Sequence, residues 1–220
     1  MFLRNLILVV SFLLTQNCFS QVGLKTGHWD WSEPDGHHKS IIKVIAKTEN
    51  SITAQGTGVV IGENKVLTAQ HVVDGILNTF YIKLDNGKEI AASVGPVDFS
   101  ADLALIVTKE KIPLPVLKIA KNRPKECEPV EVCGFGAGGE LRHFHAQLRL
   151  CGDDRSGVDG WTIPGDSGGP IFNKEKEIIG IVSGGIAWSN EKGFVHQERV
   201  IKPTWPIRCS SWDAIKSISK

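Results

Sequence analysis

The sequence predicts an all-β protein, and three observations carry that reading. Short Val/Ile/Leu runs recur along the chain and are cut by glycine; with 23 Gly and 10 Pro in 220 residues, 41% of them hydrophobic, this profile suits strands and tight turns. Asp85-Asn86-Gly87, lying between "FYIKL" and "KEIAASV", is a strong hairpin signal. A helical pattern occurs only at the end of the chain. The length allows one large domain, or two small ones with a shared interface, and no internal repeat stands out.

The elements follow in order. Met1 to Arg4 give a short positive start, Leu6 to Leu14 an apolar run too short to span a bilayer comfortably, and Cys18-Phe19-Ser20 small residues suited to a signal peptidase. Residues 1–20 therefore read as a signal peptide cleaved after Ser20, and Asn17 argues against a lipid anchor at Cys18. The expected location is secreted or periplasmic, with no membrane attachment after processing. Loss of Arg4 takes the 25 basic residues to 24, against 24 acidic ones, so nothing calls for nucleic acid or an anionic membrane as a partner.

Residues 21–38 read as an irregular extension. His28, His37 and His38 invite a metal reading, but adjacent histidines do not easily face one ion and no cysteine or acid sits at ligand spacing, so neither metal nor cofactor is expected. From Ser40 the strands begin: "IIKVIA", "GTGVVIG", "KVLTA", "FYIKL" and "ALIVT". A Lys- and Pro-rich connection over 120–128 separates this first β-rich half, 39–119, from a second, 129–207, carrying "VEVCGFG", "AQLRLCG", "PIF", "EIIGIVSGG" and "GFVHQERV". Over 208–220, Ser210 with Asp213 resembles a capping box, and Trp212, Ile215 and Ile218 recur every three residues as in a short amphipathic helix. Cys127, Cys133, Cys151 and Cys209 remain after processing, an even number that suggests two disulfides in one of three connectivities.

The chemistry concentrates in "IPGDSGGPI", residues 163–171, where one hydroxyl, Ser167, is set among glycines and prolines. Serine is a weak nucleophile until a base takes its proton and donors stabilise the oxyanion formed on attack at a carbonyl. Glycines give access and let the N–H groups of Gly165 and Ser167 turn to one point. Among seven histidines, His71 is the best base, because it ends a strand among small residues in "LTAQH". His143 and His145 alternate on one strand face and read as solvated. For the orienting acid, Asp102 at the head of the apolar run "LAL" is favoured over Asp98, because a carboxylate joined to a buried strand needs a partner.

"LTAQH", "DLAL" and "GDSGGP", in that order, resemble the trypsin and chymotrypsin family of serine endopeptidases over about residues 40–218. The resemblance implies two packed six-stranded antiparallel β-barrels with a short C-terminal helix. It implies Ser167 as nucleophile, His71 as general base and then acid, and Asp102 as the group holding the imidazole. Gly134-Phe135-Gly136 is similar to the turn that begins the second barrel. Ser183-Gly184-Gly185 is similar to the strand that binds substrate backbone, with Trp161 at the pocket floor and Gly193 and His196 on its far side. Trp161 in place of an acid argues against cleavage after Lys or Arg, and open glycine walls favour an apolar side chain. Disulfides 127–209 and 133–151 are similar to family arrangements.

The departures are also informative. Gly56 and Val72 replace the bridge that animal members have beside the histidine, and the amino terminus that activates those members is missing, so Asp166 needs another partner. The expected protein is a secreted, monomeric serine endopeptidase acting on peptides or proteins through an acyl-enzyme. The rival is a catalytically silent binding protein of the same fold.

Overall fold

A computed structural model describes residues 36–48, 51–75, 79–150, 155–188, 194–196, 199–201 and 204–220. The proposed leader, most of the extension, Cys151 and Gly193 lie outside them.

The first six strands are β1 (Ile41–Lys47), β2 (Ile52–Gly62), β3 (Lys65–Thr68), β4 (Thr79–Lys83), β5 (Glu89–Asp98) and β6 (Leu103–Thr108). They close into a barrel in the order β1-β2-β3-β6-β5-β4. β7 (Pro129–Gly134), β8 (Arg142–Leu150), β9 (Arg155–Val158), β10 (Pro170–Phe172), β11 (Ile178–Trp188) and β14 (Thr204–Ser210) close a second, ordered β10-β11-β14-β9-β8-β7. Counted within each barrel, the two orders are the same. β12 (Phe194–His196) and β13 (Arg199–Ile201) form a separate ribbon in which His196 pairs with Arg199. The expected all-β, two-barrel fold is the one observed.

Alternation fixes what each strand buries. On β1, Ile42, Val44 and Ala46 face the first barrel's interior with Val60, Val66, Ile82 and Ile106, while Ile41 on the opposite face joins the layer between the barrels. That layer also takes Val59, Leu67, Leu103 and Leu105 from the first barrel and Cys133, Phe135, Phe172, Ile178 and Ile181 from the second. The turn at Asp85-Asn86-Gly87 joins β4 and β5 as expected, with Gly87 at φ +82° and Lys88 N–H donating to Asn86 Oδ1 at 2.9 Å.

Two strands carried no usable signal. β9, "RSGV", is short and polar, and β14, "TWPIRCS", contains a proline that the apolar pattern does not overcome. The terminal helix α1 (Trp212–Ile218) begins one residue later than its capping pattern suggested. Ser211 is the N-cap and accepts from Ala214 N–H at 3.2 Å, whereas Ser210 ends β14 and its hydroxyl accepts from Ile181 N–H at 3.1 Å. Ile215, fully buried, docks the helix on the layer between the barrels.

The cysteine pairing differs from expectation. Cys133 and Cys209 are buried thiols, so neither 127–209 nor 133–151 forms. The register explains why. Cys133 lies opposite His143 on β8, eight positions before residue 151, and its side chain sits between the barrels, whereas Cys209 belongs to the second barrel's interior. Cys127 is disulfide-bonded, with its partner outside the described residues.

Alkylation of the folded protein without reductant should leave Cys133 and Cys209 unmodified, and alkylation in guanidinium should label both. Peptide mass mapping checks this; a disulfide-linked peptide containing either residue contradicts it.

Candidate active site

The site forms where the two barrels meet. β3 ends at Thr68 and the chain turns through a short 3-10 segment, Gln70–Val72, that presents His71 at the surface. Asp102 precedes β6 in a left-handed conformation, φ +52°, which is uncommon for a residue with a Cβ and costs about 1–2 kcal/mol. The strain is offset locally: Gln70 N–H donates to the Asp102 carbonyl at 3.2 Å, and His71 N–H donates to Oδ1 at 3.0 Å. The imidazole Nδ1 lies 2.8 Å from Oδ2 and 3.1 Å from Oδ1. A carboxylate only accepts, so Nδ1 carries the proton and Nε2 carries the lone pair.

A third donor comes from the other barrel. β11 pairs with β14 through a bulge between Val182 and Gly184, and the extra residue, Ser183, turns its hydroxyl onto Asp102 Oδ2. Burial pushes the Asp102 pKa up, but hydrogen bonds from the His71 ring, the Ser183 hydroxyl and the His71 backbone outweigh it and hold the carboxyl below its ordinary value. Asp98, the rival, accepts from Ser100 N–H, the Ser100 hydroxyl and Ala101 N–H and is a turn residue.

Thr57 on β2, fully buried, holds the serine loop from the first barrel. Its N–H donates to the Ser167 carbonyl at 2.7 Å, its hydroxyl donates to the Gly165 carbonyl at 2.7 Å, and the same hydroxyl accepts from Phe135 N–H at 2.9 Å. Gly168, at φ +86°, lies so close that a Cβ there would stand 1.9 Å from the Thr57 carbonyl and 2.3 Å from the Thr68 hydroxyl. Only glycine permits that approach. Thr68 and Ala69 lead directly into His71, so the serine loop abuts the corner that carries the imidazole. Among the described residues no hydrogen bond joins the Ser167 hydroxyl to the imidazole. Such bonds are often long before substrate binds.

Ahead of the serine, the Pro164 carbonyl accepts from Ala137 N–H at 2.6 Å. The peptide is planar and trans, so the Gly165 N–H on its other side points away from that contact. Gly165 adopts φ +103°, and a Cβ would meet the Phe135 carbonyl at 2.6 Å. Asp166 is 4% exposed, and Arg142 on β8 reaches it. Arg142 Nε donates to Oδ1 at 2.8 Å, its Nη2 lies against Oδ2, and Oδ2 also accepts from Ile163 N–H at 2.9 Å and the Thr162 hydroxyl at 3.2 Å. This is the partner that Asp166 needs. Gly56 and Val72 also meet as the departures imply, with a Cβ on Gly56 falling 2.6 Å from a Val72 methyl.

The remaining site residues are placed less completely. Trp161 is half-buried ahead of the loop, and Ser183, Gly184 and Gly185 lie together on β11. His196 is on the β12–β13 ribbon with its side chain outside the described residues, as Gly193 is entirely. Thr57 and Arg142 were missed by the sequence reading. The only signal for Arg142 was the unassigned need of Asp166 for a cation; Thr57 lay inside a strand pattern that hides its role. His143 is a correction: it is 5% exposed rather than solvated, because it turns toward the buried Glu131.

Two closed barrels of matching strand order, with a His–Asp pair and a glycine-flanked serine loop at their junction, define a chymotrypsin-like fold. The model of the trypsin-like peptidase domain matches residues 56–181, and the chain belongs to that family. It is 32% identical over 179 residues to the serine protease Rv3671c of Mycobacterium tuberculosis, which covers 69% of this chain and 44% of that protein. The chain thus spans under half the length of that relative. It is 24% identical over 181 residues to a glutamyl endopeptidase of Staphylococcus epidermidis, covering 72% of the chain and 64% of the relative. The crystal structure of the inactive form of Rv3671c superposes with a TM-score of 0.66 at 21% identity, covering 88% of this chain and 96% of that one. A serine endoprotease from Yersinia pestis gives 0.63 at 19% identity, covering 83% and 61%.

Arg142→Met leaves the Asp166 carboxylate buried without its cation. Loss of one partner of a buried pair costs about 3–5 kcal/mol, so the urea midpoint should fall sharply, while Asp98→Asn should shift it far less. Equal midpoints for Arg142→Met and the parent chain would contradict the assignment.

Proposed function

We propose that the protein is a secreted serine endopeptidase that hydrolyses peptide bonds through an acyl-enzyme. The observation that carries the proposal is the His71–Asp102 pair, fixed by Ser183 from the second barrel and set at the corner where the serine loop is held by Thr57.

Each residue has a role. With Nδ1–H committed to Asp102, the His71 Nε2 lone pair accepts the Ser167 proton as the hydroxyl oxygen attacks the scissile carbonyl. The oxyanion then accepts hydrogen bonds from the Gly165 and Ser167 N–H groups, the first of which is already turned away from the Ala137 contact. His71 returns the proton to the leaving amine, and water repeats the sequence to release the acyl group. Asp102 stays ionised and stabilises the imidazolium. Ser183-Gly184-Gly185 pairs with substrate backbone, and Trp161, Gly193 and His196 frame the pocket. A Cβ at Gly184 would meet nothing within 4 Å, which supports an open wall that admits an apolar side chain. Trp161, where an acid would receive Lys or Arg, supports a pocket that does not take basic side chains.

Residues 1–20 would direct export, and no helix among the described residues is long and apolar enough to cross a membrane. An exported chain also suits the disulfide at Cys127. The working species is a monomer, acting on peptides or proteins without a cofactor.

Fluorophosphonate labelling tests the proposal. Ser167→Ala should abolish labelling and hydrolysis, and Asp102→Asn should lower kcat by about 10⁴-fold through the wrong imidazole tautomer. Absence of labelling in the folded parent chain would favour the silent binding protein. A peptide-library profile should show no cleavage after Lys or Arg; strong tryptic cleavage would overturn the pocket assignment.

A further inference from the structure

A cluster that the proposed chemistry does not use lies where the chain enters β1. Glu131 on β7 is 4% exposed and faces the layer between the barrels. His37 and His38, in a 3-10 turn over Gly36–Ser40, reach it from 94 and 93 residues away. His37 Nε2 lies 3.0 Å from Oε2 and His38 Nε2 lies 2.9 Å from Oε1. The objections to a metal here were the adjacency of the histidines and the want of an acid. The fold removes both: the rings stack with centroids 3.9 Å apart and a 37° tilt, their Nε2 atoms converge, and β7 supplies the carboxylate.

We propose that His37 Nε2, His38 Nε2 and the Glu131 carboxylate form a structural site for a divalent transition ion of the zinc class. Two imidazoles and a carboxylate suit zinc or its neighbours, whereas calcium and magnesium take oxygen donors alone. The dimensions fit. Ligand bonds of about 2.0–2.2 Å place tetrahedral donors about 3.3 Å apart, and the N···O separations of 2.9 and 3.0 Å need to open by only a few tenths of an ångström. All three donor atoms lie within 4.8 Å of one another.

The surroundings are built for it. Phe172 stands edge-on to His37 at 5.0 Å, and His143 packs on His38 at 4.4 Å, so the two ligand rings are held by aromatic neighbours. Lys176 Nζ, 2.7 Å from Oε2, supplies the positive charge that the buried carboxylate needs when no ion is bound. Its side chain is 40% exposed on the turn between β10 and β11, so it can swing into water. Each Nε2 now donates to a carboxylate oxygen, so binding releases that proton to solvent while Nδ1 takes one up, exchanges the two N–H···O contacts for bonds to the ion, and displaces the ammonium. The ion clips the segment ahead of the first barrel to the first strand of the second.

The test uses the full chain with zinc or cobalt as the probe. The parent protein should bind one zinc per chain in competition with a chromophoric chelator, raise its thermal midpoint on binding, and give cobalt ligand-field bands of a low-coordinate nitrogen/oxygen site. Lys176→Met should tighten zinc by about tenfold, since it removes the competing cation from an exposed turn, and His37→Ala/His38→Ala should weaken it by at least about a hundredfold. Substoichiometric zinc in the parent chain overturns the site. So does affinity unchanged in Lys176→Met, which decides the matter alone if the histidine variant fails to fold. Zinc held equally well by a folded histidine variant places the ion elsewhere and likewise refutes it. Fluorophosphonate labelling, read in parallel, reports the serine site separately, so failure of either reading is distinguishable from failure of the other.

Discussion

Burying a carboxyl group is costly unless the protein replaces its lost hydration, and the serine loop is organised around one whose hydration is so replaced. Asp166 takes a guanidinium, a backbone N–H and a threonine hydroxyl, and those bonds fix residues 162–166 as a rigid hook. With the hook set, the Pro164 carbonyl faces Ala137 and the Gly165 N–H is turned the other way. The position of Ser167 follows from the ion pair that precedes it in the loop. The cation beside Asp166 is thus an internal arginine, Arg142 on β8.

The other half of the geometry comes from across the barrel boundary. Thr57 belongs to the first barrel but binds the carbonyls of Gly165 and Ser167, and Ser183 belongs to the second but binds the carboxylate beside His71. The two contacts run in opposite directions across one interface. A shift of one barrel on the other would disturb Ser167 and His71 together, and the apolar cluster packed between the barrels resists it.

Much of this was legible in the residues. A serine among glycines and a histidine and aspartate at strand ends mark their own positions, because each violates the ordinary preference of the place it occupies. The apolar runs located most strands for the same reason: period-two burial writes itself into sequence. What stayed hidden depended on register or on distant partners. The capping serine was one residue off because two serines adjoin and only packing chooses between them. The disulfide expectation failed because face and register, not spacing, decide which thiols meet. His143 looked solvated beside the exposed His145 because nothing local announces Glu131 across the hairpin. Arg142 and Thr57 were illegible for a similar reason: an arginine in a strand and a threonine in a strand are unremarkable until the opposite barrel is present.

The bond between the Thr57 N–H and the Ser167 carbonyl spans 110 positions of chain. A contact of such sequence separation costs loop-closure entropy that local contacts do not, and slows folding. The serine loop is therefore held in place only once both barrels are present.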